Sequence, residues 1–405
     1  MNALARAVLR FVCAMPLLAM LAACNTLPRN PVPPALTHTA RIPGMPEVRA
    51  WAGQPNETLR QDYRLSLQQE SAQDFPVGAD GVILYPHLAL SGGGSVGAFG
   101  AGFLNGWTAS GQRPVFKIVT GVSTGALMAP FAFLGRDYDD ELYRFYTTTD
   151  TDDVFESGSA LFALMRRESF AHTAPLKALI QESVNEELLR EVARAHQQGR
   201  RLYMGTVDLD TRRFMVWNMG LIAEQGTPEA LALFHKVMLA SASIPIGFPP
   251  VLFEVEADGR RYDEMHIDGF VGANVFLNVG IFNTAALNAE AARGPARERI
   301  HVVHNGQLNA PPSPTTRSLG GIATRVIEVS GKAGIVGDLY REYAFAQLKH
   351  ADFQWVTIDE NVVLPNPMVF NPTEMAALYA IGYEAARQGP RWLSKPPGIQ
   401  EAAAP

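Results

Sequence analysis

Between Val82 and Leu134 the chain twice runs a buried-type strand into a glycine-rich turn and then into a small, apolar helix. Strands that alternate with helices in this way specify a layered α/β sheet with parallel neighbours. The first pass has strand material at Val82-Ile83-Leu84 and His87-Leu88-Ala89-Leu90. The turn follows at Ser91-Gly92-Gly93-Gly94-Ser95-Val96-Gly97, and Ala98 to Trp107 reads as a helix. The second pass has a strand at Val115 to Thr120, the turn Gly121-Val122-Ser123-Thr124-Gly125, and a helix over Ala126 to Leu134, with Pro130 as a possible kink. The expected fold is therefore α/β, a three-layer α/β/α sandwich with a mainly parallel central sheet.

The first turn suits two chemistries. Gly92, Gly94 and Gly97 have the GxGxxG spacing that seats a pyrophosphate on a helix N-terminus. That use needs an acidic residue about 20 positions on to hold a ribose, and no Asp or Glu occurs between Gly81 and Arg136. The Gly-Lys-Ser/Thr of a P-loop is also missing. The other use of such exposed amides is an oxyanion hole, for which Gly92, Gly93 and Gly94 are the candidates.

The second turn is a strand, G-x-S-x-G, helix arrangement, which presents a serine hydroxyl at a sharp bend. A serine needs a base. The downstream histidines are His172, His196, His235, His266, His301, His304 and His350, and none sits in a distinctive loop signature. Asp268 ends a strand-like run from Arg261 to Phe270 that follows a turn at Asp258-Gly259, and Gly269 beside it relieves crowding. A carboxylate there, within reach of Ser123, can take the proton directly. His266, two positions earlier, shares its strand face.

Composition narrows the alternatives. The 405 residues are 47% hydrophobic with a net charge of −6, which supports a large core and argues against a nucleic-acid binder. Only two cysteines occur, both in the first 24 residues, and the nine histidines form no HExxH, so neither a zinc site nor any other metal is expected. Residues 1–23 read as a secretory signal: Arg6 and Arg10 precede the apolar stretch Phe11 to Leu21, which is too short to span a bilayer. Leu21-Ala22-Ala23-Cys24 resembles a bacterial lipobox, making Cys24 the candidate lipidation site. Asn25, where inner-membrane lipoproteins tend to carry Asp, leans towards the outer membrane, facing the periplasm. Residues 24–80, with Pro28, Pro31, Pro33, Pro34, Pro43, Pro46 and Pro55, read as a Pro-rich tether and peripheral spacer without chemistry. Within it, Leu59, Tyr63, Leu65 and Leu67 are loosely spaced for a helix.

Taken together, these blocks resemble the patatin-like phospholipase family. Gly92 to Gly97 is similar to its oxyanion loop, Gly121 to Gly125 to its nucleophile elbow, and Asp268-Gly269 to its catalytic Asp motif. Ala240-Ser241-Ala242-Ser243-Ile244-Pro245 with Phe248-Pro249-Pro250 resembles its small-residue and proline segment. The resemblance covers roughly residues 85–285 and implies a Ser123–Asp268 dyad, no catalytic histidine, no cofactor and no metal. Gly97, Gly121, Gly125 and Gly269 support the motifs. Val96 stands where many members have a basic residue, and Phe270 where many have Gly or Ala; neither removes a catalytic atom. The strand-like runs Ile300 to His304 and Phe353 to Ile358 are expected to complete one domain over residues 81–390, leaving 391–405 as a tail. The implied activity is a membrane-tethered serine lipid acyl hydrolase of the phospholipase A or lysophospholipase kind, with membrane lipids as substrate and anchor. The alternatives are another esterase, thioesterase or acyltransferase, or a non-catalytic lipid-binding lipoprotein of the envelope.

Overall fold

The structure, a computed structural model, describes residues 27–154, 156–157, 171–277, 280–290, 294–309 and 312–399. Residues 1–26, with Cys24, the side chain of His172 and residues 400–405 lie outside the described residues. Nine strands form one sheet. They are β1 (Arg49–Trp51), β2 (Ile83–Leu90), β3 (Ile118–Gly121), β4 (Arg201–Asp208), β5 (Arg213–Asn218), β6 (Val251–Ala257), β7 (Arg260–Asp268), β8 (Ala296–Val303) and β9 (Asp352–Val356). The order is β1-β5-β4-β3-β2-β8-β9. From β4 to β9 every neighbour along that order is parallel, while β5, β1, β7 and β6 join antiparallel.

One pairing positions the site. β3 runs parallel to the first half of β4, from Ile118↔Arg201 to Gly121↔Met204. Where β3 stops, β7 takes over, pairing antiparallel with the second half of β4 from Asp208↔His266 to Thr206↔Asp268. Two strands thus approach one strand from opposite directions, and their ends, Gly121 and Asp268, meet at its middle.

Alternation along the strands divides the core between two faces. Leu88, Leu90, Val119 and Met204 join the cluster that contains Phe99 and Phe103 of α2 (Ala98–Ala109) and Ala126 and Met128 of α3 (Thr124–Leu134). On the other face, Tyr85, Ile118 and Tyr203 meet one helical layer and Ala89, Ile300 and Val302 another. The second of these layers is a long helix, Leu319–Leu348, which contributes Ile335, Leu339 and Ala346. The three layers are those expected.

The segment expected to be a spacer is instead built into the domain. β1 pairs with β5, and α1 (Glu57–Gln69), capped by Asn56 on the Leu59 amide, packs on the sheet. Leu59, Tyr63 and Leu67 are four apart, share one face and are buried; each contributes about 1.5–3 kcal/mol by leaving water. Asp62, on the same helix, is also buried. It takes a two-pronged bond from Arg201 (2.7 Å from Nε, 2.9 Å from Nη2) and a third from Asn218 at 2.9 Å. Arg29 reaches Asp210 and Asp263, tying the chain down as early as residue 29. The domain also extends past residue 390. Leu393 exchanges backbone hydrogen bonds with Trp355, and the Trp392 ring packs on Trp107 and Phe103.

Candidate functional site

Ser123 sits where β3 turns into α3. Its backbone is at φ 57°, ψ −130°, a region that costs a non-glycine residue about 1–3 kcal/mol. The turn closes only because its neighbours are glycine: a Cβ on Gly121 would lie 2.4 Å from the Gly125 carbonyl, and one on Gly125 2.3 Å from that of Leu90. The bend leaves Ser123 almost fully buried, above the C-terminal edge of the parallel strands.

Asp268 is completely buried at the end of β7. Its Oδ1 accepts the Phe270 amide at 3.0 Å, and among the described residues no group other than the Ser123 hydroxyl is left to bond its Oδ2. Burial pushes the carboxyl up to about 7, opposed by the Phe270 amide and the Ser123 hydroxyl, both of which favour the charged form. An acid held in this range is balanced between taking and giving a proton near neutral pH.

The segment of small residues ahead of β6 clamps both groups. Ser241, the last residue of a helix Pro228–Ser241, accepts the Ser123 amide at 3.1 Å and donates to the Gly205 carbonyl at 2.7 Å. The Ser243 carbonyl accepts the Asp268 amide at 2.9 Å. In the sequence these serines read only as part of a motif block; the bond from Ser123 to Ser241 crosses 118 residues and leaves no local trace.

The glycine loop lies against Ser123. A Cβ on Gly92 would come within 2.9 Å of the Ser123 Cβ. Gly93 and Gly94 have φ of 156° and 57°, and there a Cβ would strike the carbonyls of Asn305 and Pro367. Among the described residues, the amides of Gly92, Gly93 and Gly94 donate to no protein group, whereas the next amide, Ser95, donates to Pro367. Asn305, absent from the sequence reading, holds the loop: its amide donates to Ser91 Oγ and its side chain to the Ser91 carbonyl, both at 2.8 Å. Gly97 packs against Thr124, and Gly269 against the Gly205 carbonyl. From Ser123 a narrow cleft opens between apolar side chains that include Leu127, Phe145, Leu176, Ile244, Phe248 and Phe370.

The histidines have other work. His266 shares the strand face of Asp268, but its ring nitrogens meet Thr206 Oγ1 at 2.8 Å and Glu264 at 3.3 Å. His301 meets the His87 carbonyl and lies among Trp107, Trp392 and Phe116; burial pushes it down to about 3. His304 meets Thr357, and burial pushes it down to about 4. His235 bonds the Val184 carbonyl, and His196 lies beside Asp62 and Glu224. His350 sits just past the end of the long helix, with φ 54°.

A serine on a strained strand-to-helix bend, beside free backbone amides and a buried carboxyl, defines an α/β protein with a nucleophile-elbow site. Residues 88–281 match the family model described as patatin-like phospholipase. No curated protein matches the chain. Among solved structures it is similar to VipD from Legionella pneumophila, at 11% identity over 76% of this chain and 70% of that one, with a TM-score of 0.35. It is similar to human GIVD cytosolic phospholipase A2 at 9% identity over 77% and 52%, TM-score 0.32. The type III effector protein ExoU matches at 15% identity over 74% and 51%, TM-score 0.20. The chain spans about half the length of the last two.

Proposed function

We propose that this protein is a serine lipid acyl hydrolase, of the phospholipase A or lysophospholipase kind, working through a Ser123–Asp268 dyad. The observation that carries the reading is the buried Asp268 carboxyl, whose Oδ2 has no other hydrogen-bond partner, beside an elbow serine. Asp268 takes the Ser123 proton as Oγ attacks the ester carbonyl carbon. The tetrahedral oxyanion is held by the amides of Gly92, Gly93 and Gly94. The intermediate collapses, and the leaving alkoxide takes the proton from Asp268. Water then gives a proton to Asp268 and attacks the acyl-enzyme; the fatty acid departs as Ser123 recovers its hydrogen. The apolar cleft favours an acyl chain as the substrate's recognised part. It encloses ≈ 30 Å³, room for little more than water, so the chain enters as the lining side chains part.

Purified protein incubated with mixed phospholipids should release free fatty acid and lysolipid, read by mass spectrometry. The rate has a predictable pH dependence. Asp268 acts only when ionised, and its carboxyl titrates at about 7. kcat/KM should therefore fall about tenfold per pH unit below 7 and level off above it. A profile already flat at pH 5 would remove Asp268 as the base, and absence of fatty acid from every lipid tried would remove the activity.

The reading extends to the anchor. Cys24 would carry diacylglycerol and hold the enzyme at the envelope, on the outer membrane facing the periplasm, beside its substrate. No helix among the described residues is long and apolar enough to cross a membrane. Two or more acyl chains make attachment stable, at about 0.8 kcal/mol per buried CH₂. Cys24→Ala should lose the acyl mass and leave the membrane fraction; acyl chains persisting on that variant would refute the lipobox.

A further inference from the structure

The amides of Gly92, Gly93 and Gly94 belong to peptides whose carbonyls are those of Ser91, Gly92 and Gly93. In a trans peptide the N–H points away from the C=O, so a bond that grips the carbonyl on one side aims the amide to the other. Each of the three carbonyls is gripped. The Ser91 carbonyl accepts Asn305 Nδ2 at 2.8 Å, the Gly92 carbonyl accepts Ser91 Oγ at 2.8 Å, and the Gly93 carbonyl accepts the Val96 amide at 3.1 Å. The last bond is backbone to backbone, at the start of the single turn Gly94–Gly97, and needs no side chain. The first two are made by side chains, and both depend on Asn305.

The dependence has a direction. The Asn305 amide donates to Ser91 Oγ at 2.8 Å, and a backbone N–H cannot accept, so the Ser91 proton goes to the Gly92 carbonyl. Asn305 is itself firmly mounted just past β8. On one side the His304 amide donates to the Val356 carbonyl at 2.9 Å; on the other the Gly306 carbonyl accepts Thr357 Oγ1 at 2.7 Å and the Ile358 amide at 3.0 Å. The remaining side-chain atom shows what the arrangement costs. Oδ1 is buried and has no hydrogen-bond partner among the described residues; it faces Gly100 of α2, where a Cβ would lie 2.2 Å from it. An orphaned buried acceptor costs stability, so the side chain satisfies one acceptor, the Ser91 carbonyl, and leaves another bare. What it gains is orientation.

We infer that Asn305 and Ser91 are positioning residues of the oxyanion hole: Asn305 Nδ2 aims the Gly92 amide, and the Asn305 amide, acting through Ser91 Oγ, aims the Gly93 amide. Glycine peptides need such guides. Glycine pays no steric penalty for rotating between φ regions, and a peptide turned over presents its carbonyl oxygen to the developing negative charge. An amide already aimed needs no reorganisation as the oxyanion forms. Neither Asn305 nor Ser91 lines the cleft that opens from Ser123; both act through the peptides they hold. The inference rests on the serine-hydrolase reading and names what keeps that site ready.

The test is hydrolysis of p-nitrophenyl butyrate by the full chain in detergent, with active sites counted by fluorophosphonate titration. Ser91→Ala and Asn305→Ala should each lower kcat per titrated site about ten- to a hundredfold, since outright loss of one oxyanion donor costs about 10²–10³. KM should stay within about threefold, because the aimed amides act on the transition state. A short-chain trifluoromethyl ketone, which Ser123 converts into a tetrahedral oxyanion, should lose affinity by the same factor as kcat/KM. A merely structural role would lower the melting temperature and leave both kcat per titrated site and ketone affinity at parent values. Ser91→Cys, with a weaker donor on a side chain of similar size, should fall between the parent and Ser91→Ala, and it carries the test if Ser91→Ala does not fold. Either alanine variant turning over within about threefold of the parent removes its residue from this role, and a raised KM at unchanged kcat overturns the inference. A parent that neither hydrolyses the ester nor takes the probe overturns the enzymatic reading and this inference with it; an active parent with unaffected variants overturns this inference alone.

Discussion

Ser123→Ala should lower kcat by about four to six orders of magnitude and abolish labelling by a fluorophosphonate probe, and Asp268→Asn should lower it by about four. The two variants differ in stability, which separates lost chemistry from lost fold. Asp268 is buried and its folded value, about 7, lies above that of an unfolded carboxyl. The native state therefore binds the extra proton, and stability falls as pH rises from about 4 to 7. Asn keeps an acceptor for the Phe270 amide and carries no charge to bury. Asp268→Asn should thus match the parent at pH 4 and exceed it above pH 7, by a margin on the order of a few kcal/mol. Ala at His266, His301, His304 or His350 should leave kcat within about tenfold. A well-folded histidine variant as inactive as Ser123→Ala would show that a conventional triad operates here.

Asp62→Ala should destabilise the protein by about 3–5 kcal/mol in urea unfolding, although Asp62 lies outside the span that matches the family. The substitution strands the Arg201 guanidinium, which is fully buried, and an uncompensated buried charge is costly. Pairing it with Arg201→Met should recover much of the loss, because the penalty comes from the stranded charge. Burial resists ionisation of Asp62, but His196 and Arg201 outweigh it and hold its carboxyl below the usual range. Its contribution is therefore complete above the ordinary carboxylate pKa and is lost as pH falls through the lower folded value. A cost below about 1 kcal/mol for Asp62→Ala would mean that residues 49–75 are a dispensable attachment after all.

The misreading of that segment has a physical cause. Prolines before residue 56 and polar residues after it look like spacer. The partners that make Asp62 a core residue, Arg201 and Asn218, stand 139 and 156 residues away. A buried ion pair has no local signature: in sequence it is two ordinary surface-type charges. His266 shows the converse. Strand alternation correctly put it on the face of Asp268, but alternation says nothing of where a ring's nitrogens end, and Thr206 and Glu264 take both.

What the sequence by itself determined was local: two strand–turn–helix units, the glycines that let each turn close, and the serine that one of them presents. Those features depend on dihedral freedom and contact between residues a few positions apart, so they survive in a string of letters. Only the tertiary structure decided which carboxylate faces that serine and what holds the pair. That outcome depends on β3 and β7 sharing β4 end to end, on Ser241 bridging the elbow to Gly205 and on Asn305 bracing the glycine loop. Each is a contact between distant segments, set by strand pairing and packing rather than by neighbouring residues.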